Sequence, residues 1–247
     1  MHCTNDKQNF IILTDQRTGS CHLEYLLDSH RTAKVAGELF NPDYRHSAAE
    51  DLVQGFADLR REDPIAYLTK FFSQPFDDIT THLGFRLFYS HARKNREEAI
   101  WAHLQSMRNL KIIHLQRRNL LNNFLSLKLA LNSKVWMRRK GQPVTSYPPT
   151  SLDAGECVEH FQSREHNIRE ANRFFRRNPK IDIFYEDLTS KGTEQMDAVL
   201  HFLGLEPQAL TNKILKQNHQ KTSELVSNYA QLKANFRHTK WQHFFEE

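Results

Sequence analysis

Cysteine is scarce in this 247-residue chain: only Cys3, Cys21 and Cys157 occur, and no two form a CxxC pair. That argues against a disulfide framework, and a reduced, cytoplasmic setting is expected. The fourteen histidines form no HExxH and no Cys/His ligand grouping, so no metal is expected. No run approaches the roughly 18 apolar residues of a membrane span, and the opening MHCTNDKQNF has no apolar h-region. A chain with no integral membrane segment is the expectation. GxGxxG and GxSxG are both missing, which removes the dinucleotide fingerprint and the commonest α/β-hydrolase signal. Charge is not concentrated either. Lys and Arg number 34 against 29 Asp and Glu, a net charge of +5, but the two signs are interspersed. Anionic ligands are favoured, and a nucleic-acid partner is not expected.

What is present is organised around Phe10 to His30, FIILTDQRTGSCHLEYLLDSH. Phe10-Ile11-Ile12-Leu13 has the length of a buried strand, Thr14 to Ser20 reads as a turn, and Leu23, Leu26 and Leu27 recur at helical spacing. A strand–turn–helix joint with Gly19, hydroxyls and Arg17 suits an anion, because a helix N-terminus offers unpaired N–H groups and a positive dipole end. An ordinary βα turn with a capped helix is the alternative. The turn does not satisfy GxxxxGK[ST], since the second glycine and the lysine are missing.

Further strands are expected at Lys34-Val35-Ala36, Leu83–Phe88, Lys111–Leu115 and Lys180–Tyr185. Between them the pattern predicts helices over Ser47–Arg61, from Asp63-Pro64 to Phe72, from Asn95 to Met107, from Asn119 past Leu129, from Asp153 to Arg177 and over Thr193–Leu203. Gly204 is placed as a helix-terminating glycine, and Pro207 as the start of another helix. Residues 41–80 read as a helical insert, and 218–247 as a segment folding over the domain. Strands alternating with helices give an α/β fold, a parallel sheet with helices on both faces and ligands at the carboxyl ends of its strands. A single domain, 1–247, is expected.

A second anion site is suggested by Leu110 to Ala130. Arg118 ends a strand and Ser126 follows it by eight residues, about two helical turns, so both share a face if the helix starts near Asn119. A solvated Arg117–Arg118 pair is the alternative. Arg86, inside an apolar strand, either faces a site or snorkels at an edge.

Two anion sites on different strand ends of one sheet resemble the sulfotransferases that use 3′-phosphoadenosine 5′-phosphosulfate, in particular the bacterial carbohydrate branch of nodulation-factor, trehalose and lipopolysaccharide-type enzymes. Arg17-Thr18-Gly19-Ser20-Cys21-His22 resembles the family's 5′-phosphosulfate turn. Arg118 and Ser126 resemble its 3′-phosphate pair. Gly37-Glu38-Leu39 resembles its GEL segment, and Ile181–Leu188 with Phe202–Leu205 its YEDL region. The resemblance implies a P-loop-like three-layer fold, sulfuryl transfer to a carbohydrate or glycolipid hydroxyl, Glu38 as general base, and Arg17 stabilising the leaving phosphate. It also implies Tyr185 against the adenine, and no metal. Cys21 and His22 depart from the small or hydroxyl residues of many relatives. The lid motif RKG of the cytosolic branch is met only by Gln220-Lys221-Thr222, so Lys221 is the lid candidate. His91 and His114 are reserve bases. Tyr44, Trp136 and Tyr147 are sugar-site candidates, with a place in the core as their alternative. The oligomeric state is open, a homodimer included. A P-loop-like kinase and a non-catalytic nucleotide scaffold are the competing classes.

Overall fold

The computed structural model describes residues 7–42, 56–73, 77–143, 146–215 and 220–246. Its strands are β1 (Gln8–Thr14), β2 (Ala33–Val35), β3 (His82–Phe88), β4 (Lys111–Gln116), β5 (Arg138–Arg139), β6 (Lys180–Phe184) and β7 (Ile214–Leu215). The helices are α1 (Ser20–Asp28), α2 (Ala57–Glu62), α3 (Pro64–Ser73), α4 (Ala99–Ser106), α5 (Leu120–Ser133), α6 (Ala154–Phe174), α7 (Tyr185–Ser190), α8 (Gly192–Leu203), α9 (Thr222–Leu225) and α10 (Tyr229–Asn235). The described residues fall into two compact units, one within 1–116 and 172–212, the other within 117–171 and 213–247.

In the first unit five strands form one parallel sheet in the order β2-β3-β1-β4-β6. The apolar runs that announced the strands are its buried centre: Phe10, Ile11, Ile12 and Leu13 are fully buried. On one face Phe10, Ile12, Ile113, Leu115 and Ile183 pack against Leu23 and Leu27 of α1 and Met196, Val199, Leu200 and Leu203 of α8. Alternation sends Phe85 to the other face, where its ring meets Phe40, Phe71 and Phe72 at 5.8 to 5.9 Å. Each such ring contributes roughly 1.5–3 kcal/mol by leaving water. The sheet is thus covered on both faces, as an α/β three-layer fold requires. Opposite Phe10 in the register stands Gly84. A Cβ there would lie 2.4 Å from the Phe10 ring, which occupies the space a side chain would need.

Helix ends follow local chemistry. The Asp63 carboxylate accepts from the Ala66 N–H at 2.9 Å ahead of α3, and Asp153 accepts from Glu156 at 2.9 Å ahead of α6. Gly204 closes α8 at φ 81°. The helix from Asn95 opens with a 3₁₀ turn, Asn95–Glu98, before α4. Tyr185 is not a strand residue but the first of α7. Of the helix expected over Ser47–Arg61, residues 47–55 lie outside the described residues, and α2 accounts for the remainder.

The helix expected from Pro207 is absent, because residues 205–213 run without regular structure. Their bonds go to α1 and its end instead. Gln208 donates to the Ser29 carbonyl at 3.3 Å, and the Thr211 N–H donates to the Ser29 hydroxyl at 3.0 Å. Tertiary hydrogen bonds here replace the helical ones that local propensity favoured.

The second unit has its own core, in which Leu121, Leu125 and Leu129 of α5 and Phe161 of α6 bury against Phe236, Trp241, Phe244 and Phe245. The described part of the C-terminal segment therefore packs on α5 and α6. Trp241 donates its indole N–H to Glu165 at 2.7 Å, and the Tyr229 hydroxyl donates to the Phe245 carbonyl at 2.9 Å. Among the described residues no helix is long and apolar enough to cross a membrane.

Candidate active site

The turn after β1 is built from its own side chains. The Thr14 hydroxyl donates to the Leu115 carbonyl at 2.7 Å, tying the end of β1 to β4. Thr18, 5% exposed, donates to the Asp15 carbonyl at 2.8 Å and lies 2.7 Å from the Thr14 hydroxyl. The Thr18 side chain thus shapes the loop from inside, and a bound anion would meet its main chain. Arg17 and Gly19 both take left-handed conformations, at φ 62° and 85°. That conformation is natural for glycine but costs an arginine of order 1–3 kcal/mol. Gly19 is the N-cap of α1. No side chain caps this helix and its first turn carries no acid, so its N-terminal field favours an anion. A Cβ on Gly19 would lie 2.5 Å from Cδ2 of Tyr185, so the tyrosine ring rests directly on the turn.

Beneath the turn is Arg86, at the register position opposite Ile12 and 5% exposed. Its Nε stands 2.5 Å from the Glu24 carboxylate and its Nη1 3.0 Å from that of Glu38. The same Nη1 donates to the Ser20 hydroxyl at 3.2 Å and to Cys21 Sγ at 3.2 Å. Burial opposes a charge here, but Cys21, Glu24 and Glu38 outweigh it and raise the guanidinium above its ordinary range. Burial likewise raises the Glu24 carboxyl, with Arg86 working against that shift. Arg86 is therefore no snorkelling edge residue. It is a shared counter-ion for two carboxylates from different elements.

Glu38 reaches this position through Gly37, at φ 64°. The Gly37 carbonyl accepts from the Arg86 N–H at 2.6 Å, and the Ala36 N–H donates to Gly84 at 2.9 Å, so the chain after β2 stays clamped to β3. The Asn41 amide donates to Glu38 Oε2 at 2.6 Å. His91 Nε2 stands 3.8 Å from that oxygen. Burial first, then Arg86 and Arg60, lower His91 to about 3, so at neutral pH it is uncharged and a poor base. His114 is fully buried, with Nε2 2.7 Å from the Tyr89 hydroxyl and Nδ1 3.0 Å from Asp182. Of the two reserve bases, His91 is thus held uncharged and His114 is sealed from solvent, whereas the Glu38 side chain is only partly buried. His22 is engaged elsewhere: the Asn212 amide donates to its Nδ1 at 2.5 Å and to its carbonyl at 3.0 Å. Burial lowers it, so it brings no positive charge to the turn.

Asp182 is lowered to about 2, chiefly by its hydrogen bond with His114 and then by Lys180. A depressed carboxylate stabilises the fold above its unfolded pKa, and this contribution disappears as pH falls from about 4 towards 2. The side chain is 43% exposed, so solvent screening leaves roughly 1 kcal/mol. Asp182→Asn is expected to lower the urea midpoint at pH 7 and to approach wild type near pH 2. An equal deficit at both pH values would remove the charge as the cause.

In the second unit Asn119 caps α5, its side chain accepting from the Asn122 N–H at 2.9 Å. Arg118 is exposed just before that cap, outside the helix, and Ser126 is half-buried within α5. Lys221 is exposed ahead of α9. Trp136 is 41% exposed, whereas Tyr147 is 6% exposed and belongs to the core. Tyr44 lies outside the described residues.

The model of the sulfotransferase family matches residues 9–209. The chain belongs to the sulfotransferase family. Nodulation protein H of Rhizobium tropici is 29% identical to this sulfotransferase, over 100% of this chain and 96% of that protein. Nodulation protein H of Rhizobium meliloti is 26% identical over 99% of this chain and 98% of that one. In fold the chain is similar to the crystal structure of a sulfotransferase from Alicyclobacillus acidocaldarius. The TM-score is 0.50 at 13% identity, covering 93% of this chain and 91% of that one. Sequence reasoning about this sulfotransferase passed over Glu24, although a signal existed. Ser20, Leu23, Glu24 and Leu27 lie on one helical face, and a carboxylate on an otherwise buried face needs a partner.

Proposed function

We propose that this sulfotransferase moves a sulfuryl group from 3′-phosphoadenosine 5′-phosphosulfate to a hydroxyl of a carbohydrate or glycolipid acceptor. One observation carries the reading. An uncapped helix opening at Gly19 lies over an Arg86 that holds a half-buried carboxylate, Glu38, within 3.0 Å. Arg17, Ser20 and the main chain around Gly19 bind the 5′-phosphosulfate, and Tyr185 lies against the adenine. Arg118 and Ser126 take the 3′-phosphate, a role supported by their spacing and by the family resemblance. The acceptor class rests on the resemblance to the carbohydrate-acting branch.

Glu38 takes the proton from the acceptor hydroxyl, whose oxygen forms a bond to sulfur. The bond from sulfur to the bridging phosphate oxygen breaks, and its electron pair leaves with the 5′-phosphate. The products are the sulfate ester, adenosine 3′,5′-bisphosphate and a protonated Glu38, which returns its proton to solvent. Arg17 and the helix N-terminus stabilise the charge that grows on the leaving phosphate.

A thermal-shift comparison tests the donor. At one hundred times its dissociation constant, adenosine 3′,5′-bisphosphate is expected to stabilise the fold by about 2.7 kcal/mol, with ATP giving no comparable shift. Stabilisation by ATP with magnesium alone would point to a kinase instead.

A further inference from the structure

Two carboxylates share one buried guanidinium, and only one of them has a role in the proposed reaction. Glu24 comes from α1, Glu38 from the turn after β2, and Arg86 from β3. Glu24 is 7% exposed, and its carboxylate contacts Arg86 Nε while Glu38 contacts Nη1. We infer that Glu24 is a positioning residue that divides the charge of Arg86 and so keeps Glu38 basic enough to accept a proton. The inference rests on the reading of Glu38 as the base.

The argument is electrostatic. A carboxylate paired alone with a buried guanidinium is a weak proton acceptor, because the neighbouring positive charge stabilises its ionised form. A second carboxylate on the same guanidinium offsets that charge and restores affinity for a proton. It also keeps Arg86 paired during the part of the cycle in which Glu38 is protonated, when a buried cation would otherwise stand uncompensated. The geometry suits both tasks, since the two carboxylates use different nitrogens of one rigid fork. The nitrogen that meets Glu38 also meets Ser20, the first residue of α1. Among the described residues, the other charged or titratable groups acting on this cluster are Cys21 and Asp28 on α1, His91 after β3, and Arg60 of α2. His91 is uncharged at neutral pH, so it does not take over the role of Glu24.

The test is the pH dependence of kcat/KM for wild type, Glu24→Gln, Glu24→Asp and Glu38→Gln. Glu24→Gln keeps the shape and removes the charge. Its acid limb is expected to move to lower pH by about one unit, with a lower plateau, while affinity for adenosine 3′,5′-bisphosphate by calorimetry stays within about twofold. Glu24→Asp keeps the charge, so its limb is expected to stay near that of wild type even if its plateau falls. An unmoved limb in Glu24→Gln, or a limb that moves equally in both variants, overturns the inference. Survival of the wild-type limb in Glu38→Gln overturns the base assignment itself, a separate result.

If Glu24→Gln does not fold, the coupling is measured from the other side. The Glu24 carboxyl, followed by ¹³C NMR of glutamate-labelled protein, is expected to titrate at lower pH in Glu38→Gln than in wild type. An identical titration overturns the inference.

Discussion

Glu38→Gln is expected to lower kcat by about 10²–10⁴-fold while leaving the affinity for adenosine 3′,5′-bisphosphate within about twofold. The amide keeps the size of the side chain but cannot take the acceptor proton. The split between turnover and binding is expected because Glu38 contacts Arg86 and Asn41 rather than any residue of the turn proposed to hold the donor. Arg86 retains Glu24 as its partner in the variant, so no buried cation is left unpaired and the fold should persist. Steady-state rates with the sulfate donor, alongside calorimetry, check both halves. Turnover within threefold of wild type would remove Glu38 as the base and leave it a plain ion-pair partner.

Arg17→Ala is expected to cost about 10²–10³-fold in kcat, the scale of losing one group that stabilises developing charge. Its effect on ground-state donor binding should be smaller, because the helix N-terminus and main chain of the turn remain. The backbone adds a complication that a control resolves. Arg17 sits at φ 62°, and the alanine variant must hold the same left-handed conformation. Arg17→Gly relieves that strain and Arg17→Lys keeps a charge. If charge is what matters, Arg17→Gly stays as slow as Arg17→Ala, and Arg17→Lys recovers part of the rate. Recovery in Arg17→Gly alone would assign the defect to loop conformation.

These two residues also mark how far the sequence could be read. Arg17 was legible because its neighbours in the chain define it: an apolar run ends four residues before it, Gly19 follows, and a leucine-spaced helix begins beyond. Glu38 was legible only as a motif. A base and an ion-pair partner are both compatible with the geometry, since Arg86 holds the same carboxylate that is proposed to accept the proton. The ion pair and the base are one arrangement.

The helix expected from Pro207 failed for a related reason. Proline at a helix start is a local preference, and it gave way to hydrogen bonds from Gln208 and Thr211 to Ser29, a partner the local pattern does not contain.

The strands of the parallel sheet, the turn after β1, the caps at Asp63 and Asp153 and the close at Gly204 were determined by the sequence alone, because each depends on residues within a few positions. Only the tertiary structure decided that Arg86 would lie between Glu24 and Glu38, that burial would leave His91 uncharged, and that Tyr185 would rest on Gly19. The first two depend on the charge and dielectric around buried groups and the third on packing, and all three are set by residues far apart in the chain brought within 4 Å.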